Sequence, residues 1–244
     1  MKRAVWGIMG AALAVMLGTR GALAQCCGDC NGDGTVTVDE ILTAVNHALT
    51  SCTDDHICPQ RFPATGQTTT FGPGSDGDVR AGATLSYTDN GDGTITDNTT
   101  GRMWEKKDQS GGIHDWTNRY TWGMTSAPYT MDGTMVTAFL ATLNAGAGFA
   151  GHTDWRIPNV KELQSIVNYE IPFPGPAVDG AFNTNCAGNC TVLTCSCTQP
   201  FTYWSSTTGL SNPSFAWYVN FIYGYVGNDT KDSESYARAV RGGL

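Results

Sequence analysis

Six oxygen-bearing residues fall at calcium-ligand spacing in the stretch DCNGDGTVTVDE, which runs from Asp29 to Glu40. A hard cation such as Ca2+ takes oxygens from positions 1, 3, 5, 7, 9 and 12 of such a loop, with glycine at 6 for the sharp turn. Asp29, Asn31 and Asp33 occupy 1, 3 and 5, and Gly34 occupies 6. Thr35 offers its main-chain carbonyl at 7, Thr37 stands at 9, and Glu40 can bind bidentately at 12. The pattern predicts a bound Ca2+. A near copy, NGDGTIT, runs from Asn90 to Thr96. Its loop would begin at Thr88 and end at Thr99, so both outer carboxylates are missing. Flanked by LSYT and TITD, it is expected to be a hairpin turn with glycine at the positive backbone angle.

The nine cysteines form the second group with chemical potential. Cys26, Cys27, Cys30, Cys52 and Cys58 are early, and Cys186, Cys190, Cys195 and Cys197 are late. The late spacing, C-x3-C-x4-C-x-C, does not match structural zinc sites, which favours two disulfides there. The odd early count leaves one thiol free or paired between chains, and connectivity stays open. His47, His56, His114 and His152 are scattered, and no H-E-x-x-H, H-x-x-E-H or G-x-S-x-G motif is present.

Disulfides need an oxidising compartment, and the first residues supply a route to one. Lys2 and Arg3 precede an apolar run from Ala4 to Leu17, and Ala22-Leu23-Ala24 makes a small-x-small cleavage site. Residues 1–24 are therefore expected to be a signal peptide and the protein secreted or on the cell surface, with a periplasmic home also open. No later stretch reads as a membrane span. Of the 14 basic residues the leader removes Lys2, Arg3 and Arg20, leaving 11 against 22 acidic ones, a net charge of −11. That balance disfavours nucleic acid and anionic membranes as partners.

Composition divides the rest. Residues 25–58 form a cysteine-bounded calcium loop-helix module, its helix DEILTAVNHALTS carrying Ile41, Val45 and Leu49 on one face. Residues 59–80, rich in Pro, Gly, Thr and Ser, read as a linker. Residues 81–244 are globular. Helices are expected over Thr134–Leu143 and over PNVKELQSIVNY, where Asn159 caps and Glu162 completes a capping box. Strands are expected at RMWEK, YWSSTT, AWYVNF and YARAVRG. Residues between Pro172 and Pro200 read as a long disulfide-tied loop. Trp155 is expected in the core and Arg156 in a pair with a nearby acid.

The loop-then-helix of 25–58 resembles half of a dockerin module, an EF-hand-like calcium segment of secreted bacterial proteins. The stretches GDGTITDNTTGRMWEKK, TDWRIPNVKELQSIVNY, YWSSTT, AWYVNF and RAVRGG together resemble the Lcl C-terminal domain family, named for a bacterial collagen-like adhesin. The resemblance covers residues 81–244. It implies an α+β, C-type-lectin-like domain with twisted antiparallel strands and two helices, related to the formylglycine-generating enzyme fold. It also implies adhesion, with a glycan or a cell-surface protein as partner. The carboxylates of calcium-bridging lectins are absent at Ile157-Pro158-Asn159 and Val219-Asn220-Phe221, so sugar binding through calcium is not expected.

Candidate ligand residues are the late aromatics and their polar neighbours. Trp204, Trp217 and Tyr223 offer faces for sugar rings, with Ser205, Ser206 and Asn220 to fix orientation. Arg238 and Arg241 either read an acidic sugar or pair with acids. Two other function classes remain: a modifying enzyme acting through the late cysteines, for which a free thiol there is required, and a calcium-dependent docking module.

Overall fold

The structure is a computed structural model and describes residues 62–242, together with Val38 and Ile41, both helical. The calcium-loop residues Asp29, Asn31, Asp33, Thr35, Thr37 and Glu40, the early cysteines and the leader lie outside the described residues. The chain divides into two compact units, Met1–Cys58 and Pro59–Leu244.

The second unit is mixed α and β, mostly antiparallel strands with few helices. A short helix, α1 (Asp76–Val79), is followed by β1 (Tyr87–Asp89), β2 (Thr94–Asp97), β3 (Met103–Glu105) and β4 (Tyr120–Thr121). A π-helical segment, Met135–Leu140, runs into α2 (Ala141–Leu143), and α3 spans Val160–Gln164. The chain then enters a 3-10 turn (Gly180–Phe182), β5 (Thr202–Thr208), β6 (Phe215–Asn220), β7 (Tyr225–Thr230), β8 (Glu234–Ser235) and β9 (Val240–Arg241). Three sheets result, ordered β1-β2-β3-β9, β4-β8 and β5-β6-β7, every pair antiparallel.

Local chemistry explains most of these elements. The NGDG stretch after β1 is a hairpin turn: β1 pairs with β2, and Gly91 and Gly93 have φ of 75° and 97°. Asp92 accepts from the N–H and hydroxyl of Thr94, and Asp89 accepts from Gly91 N–H and Lys106, so both carboxylates are engaged. The first expected helix is present, with Met135, Phe139 and Leu143 buried, but Met135–Leu140 within it have π geometry. The second opens on a complete capping box, Asn159 with Glu162. It ends at Gln164, earlier than its apolar pattern suggests. Ile166 and Val167 continue into the core beyond the helix, where Ile95, Trp104, Phe182 and Tyr203 pack around them. A second core gathers Tyr120, Trp122, Phe139, Trp155 and Trp204.

The stretch 59–80 departs from the linker expectation. From Phe62 onward it is hydrogen-bonded to the domain. Pro63 bridges Ala83, Tyr169 N–H donates to Thr65 O at 2.8 Å, and Glu170 accepts from the N–H groups of Thr68 and Thr69. Gly66 is needed there, since a Cβ would meet Asn168 Oδ1 at 2.4 Å. The late cysteines close two bridges, Cys186–Cys197 and Cys190–Cys195, in the expected loop. Among the described residues no helix is long and apolar enough to cross a membrane.

Candidate functional site

The residues marked from sequence separate into core and surface. Trp204 is 1% exposed, and its indole N–H donates to Tyr120 O. Ser205 is buried and donates to Trp217 O. Asn220 is buried, bridging Tyr225 and the Ile222 N–H. Arg238 is fully buried. It donates to Glu105 O, Cys197 O and Thr198 Oγ1, and lies over the Phe182 ring. These four hold the fold together and present nothing to a ligand, which corrects the expectation for each. Ser206, Trp217 and Arg241 are half-buried, and Arg241 pairs with Asp154 at 2.7 Å. Tyr223 is 59% exposed and keeps its candidacy.

β5 is irregular beside these residues. Between Trp204 and Thr208 it carries two residues more than the facing span of β6, Tyr218 to Ala216. This bulge receives the turn before α3: Ser206 N–H donates to Pro158 O at 2.8 Å, and Val160 N–H donates to Thr207 Oγ1 at 3.1 Å. The D-W-R-I-P-N stretch is thereby fixed to W-S-S. Arg156 also trades main-chain bonds with Val240, and its guanidinium reaches Gly242 O. Glu162, 6% exposed, takes both Arg156 and Arg102. Burial pushes its carboxyl up, but the bonds from Arg156, Asn159 N–H and Arg102 outweigh that and hold it at about 2.

The exposed aromatics form a different surface. Phe173 and Tyr223 stack with centroids 5.7 Å apart and planes 22° apart, and both are well exposed. Tyr169, 40% exposed, donates its hydroxyl to Gly224 O at 2.7 Å, beside Tyr223. Tyr169 also lines a cleft of about 380 Å³ between the 62–67 segment and α3. Gln67, Asp76, Lys161 and Gln164 supply polar groups there, and Phe62 supplies an apolar wall. The cleft wall is tied down by Glu170. Hydrogen bonds from Thr69 and Thr68 hold its carboxyl at about 2, and Thr65 hydroxyl bonds Asp76. An aromatic ledge therefore lies beside a mainly apolar cleft with a few polar groups, the mix by which small-molecule sites combine apolar contact with orienting groups.

Sequence reading missed Tyr169, Phe173 and the 62–76 wall. Phe173 had a signal in IPFPGP, since a large aromatic held between prolines on a loop has little core to enter. The wall had none, because its partners are distant in the chain.

The Lcl C-terminal domain matches residues 93–241. The chain belongs to the Lcl C-terminal domain family. A comparison with curated proteins finds no match. In this Lcl C-terminal domain, the residues that carried the resemblance, Arg156, Pro158, Asn159, Glu162 and Ser206, meet in one packing node. The aromatic ledge lies outside that node. Among the described residues, the side chains close enough to share a metal are Cys190, Cys195 and Cys197, and all three are in disulfides.

Proposed function

We propose that this is a secreted or cell-surface binding protein whose Lcl C-terminal domain, a C-type-lectin-like fold, recognises a glycan without calcium. The observation that supports the reading is the exposed Phe173–Tyr223 stack beside Tyr169, which lines a mainly apolar cleft carrying a few polar groups. The C–H face of a pyranose packs on such rings, while hydroxyls bond to amide and charged groups. Amides at Gln67 and Gln164, with Lys161 and Asp76, suit a hydroxyl-rich ligand. The leader sequence and the two disulfides support export.

The calcium loop from Asp29 to Glu40 serves the first unit and has a separate role, as a stabilising ion site. Both late bridges are closed, so the free thiol that an enzyme acting through those cysteines requires is not offered.

The test is a glycan array probed with the full protein in calcium and again in chelator, beside the F173A/Y223A double variant. Binding that survives chelation and is lost in the variant supports the reading. Binding unaffected by the variant places the site elsewhere. Silence in all conditions removes glycans as the ligand class.

A further inference from the structure

The two bridges of the late loop are not independent. Cys195 Sγ and Cys197 Sγ belong to different bridges and lie 4.0 Å apart. The sulfurs of Cys190, Cys195 and Cys197 all lie within 4.8 Å of one another. Exposure is graded across each bridge. Cys195 and Cys197 are fully buried, Cys190 is half-buried and Cys186 is exposed. Each bridge thus joins an outer sulfur to an inner one, and the two inner sulfurs are neighbours.

Relay of exchange from one bridge to the next requires an attacking thiolate, a sulfur it can reach and a second disulfide within range of the thiolate released. Cys190 is the outer sulfur of its bridge, and the released Cys195 would face Cys197. The main chain at Cys197, the second inner position, is fixed on both sides. Its N–H donates to Lys107 O, and its carbonyl accepts from the Arg238 guanidinium, each at 2.8 Å.

We propose that this loop is a thiol–disulfide exchange site, an activity beyond glycan recognition, whose substrate is an external thiolate and whose product is a surface thiolate at Cys186. In the first step the external thiolate bonds to Cys190 Sγ, and the Cys190–Cys195 bond breaks with its electron pair on Cys195. In the second, the Cys195 thiolate bonds to Cys197 Sγ, and the Cys186–Cys197 bond breaks with its pair on Cys186. Cys186 then takes a proton from water, leaving a mixed disulfide at Cys190. Alternatively it attacks Cys190 and expels the external thiolate. That second branch consumes no oxidant or reductant: the bridges are re-paired as Cys186–Cys190 and Cys195–Cys197, and the thiol acts as catalyst.

Leu193 gives a direct readout, because it is 61% exposed and lies between Cys190 and Cys195. Both bridges of the structure span it, and neither re-paired bridge does. The native full-length protein is incubated with reduced glutathione, quenched by alkylation, cleaved with chymotrypsin and weighed without reduction. The expected result is loss of fragments linked across Leu193. Fragments carrying Cys186–Cys190 and Cys195–Cys197 replace them, or alkylated Cys186 appears with glutathione on Cys190. In C195S, Cys186 should stay bridged to Cys197 under the same treatment. Alkylation at Cys195 with Cys186–Cys197 intact overturns the proposal, as does complete resistance of the folded wild type. The wild-type fragments decide the matter even where C195S does not fold.

Discussion

The guanidinium of Arg156 meets both carboxylate oxygens of Glu162, at 2.7 Å each. The same carboxylate accepts the Asn159 N–H that opens α3, and Arg102 from the β2–β3 side. One buried charge therefore joins a helix cap to Arg156, six residues earlier, and to Arg102, sixty residues earlier. Its folded-state carboxyl sits at about 2 against an ordinary 4.5. Its stabilising contribution is thus fully present above about pH 4.5 and lost as pH falls toward 2, with an upper limit of about 3 kcal/mol. Urea unfolding at pH 7, 4 and 2.5 should show E162Q less stable by about 2 kcal/mol at pH 7. The difference should shrink as the pH falls. An equal pH slope in the two proteins would contradict this account.

Glu105 and Lys107 form a second charged centre, fully enclosed, with Nζ and Oε1 2.9 Å apart. His114 Nδ1 lies 2.8 Å from the same oxygen, and Ala239 N–H donates to the other. Burial raises the Glu105 carboxyl, but Lys107, His114 and Ala239 outweigh it and hold it below the usual range. Removing one member of such a pair leaves a buried charge without a partner, at a cost of about 3–5 kcal/mol. E105Q should show that loss. The E105Q/K107M double variant should lose less than the sum of the singles, with a coupling of about 1–3 kcal/mol. Additive losses in a double-mutant cycle would mean the two charges do not depend on each other.

What was legible in the sequence was local. The hairpin at Asn90–Gly93 and the Asn159–Glu162 capping box rest on residues within a few positions of each other, and both are present. So are the pairing of Arg156 with an acid and the enclosure of Trp155. Trp204 was misjudged because its partners are distant in the chain: its ring closes the second core, and its indole N–H donates to Tyr120 O, 84 positions earlier. Arg238 was misjudged because its charge suggests surface, while Glu105 O, Cys197 O and Thr198 satisfy it inside. The 62–80 segment lacks hydrophobic periodicity, and polar bonds to Glu170 and Tyr169 hold it instead. Such bonds leave no pattern in a single chain.

Trp204 and Tyr223 separate packing from recognition. Truncating an enclosed tryptophan costs about 3–5 kcal/mol, so W204A should lower the melting temperature steeply. Y223A removes an exposed ring and should change stability by no more than about 0.5 kcal/mol. On the glycan reading, Y223A should nonetheless weaken binding. Calorimetric melting together with binding of an array-selected glycan measures both. A strongly destabilised Y223A would make that ring structural.

The calcium proposal has its own test. Asp29 and Glu40 stand at the two ends of the ligand pattern, and Glu40 is the residue able to bind with both oxygens. Titration calorimetry of the full protein with Ca2+ should show one site, lost in D29N/E40Q. D92N should leave it intact, because Asp92 belongs to the hairpin turn and bonds Thr94. Calcium binding that disappears in D92N and survives in D29N/E40Q would reverse the assignment of the two NGDG stretches.

Gly224 links the aromatic ledge to the core. Its φ is +76°, and a Cβ there would meet Val167 Cγ1 at 2.5 Å and the Tyr169 ring at 2.8 Å. The backbone angle disfavours any side chain, and the two contacts require that something move. Val167 is enclosed, whereas Tyr169 is partly exposed, so the tyrosine is the group expected to shift. G224A should cost about 1–3 kcal/mol. It should also displace the Tyr169 hydroxyl from Gly224 O and open the end of the cleft. Because Tyr223 and Phe173 are untouched, weakened glycan binding in G224A would show that the cleft and the stacked rings act as one site. Unchanged binding at reduced stability would confine recognition to the rings.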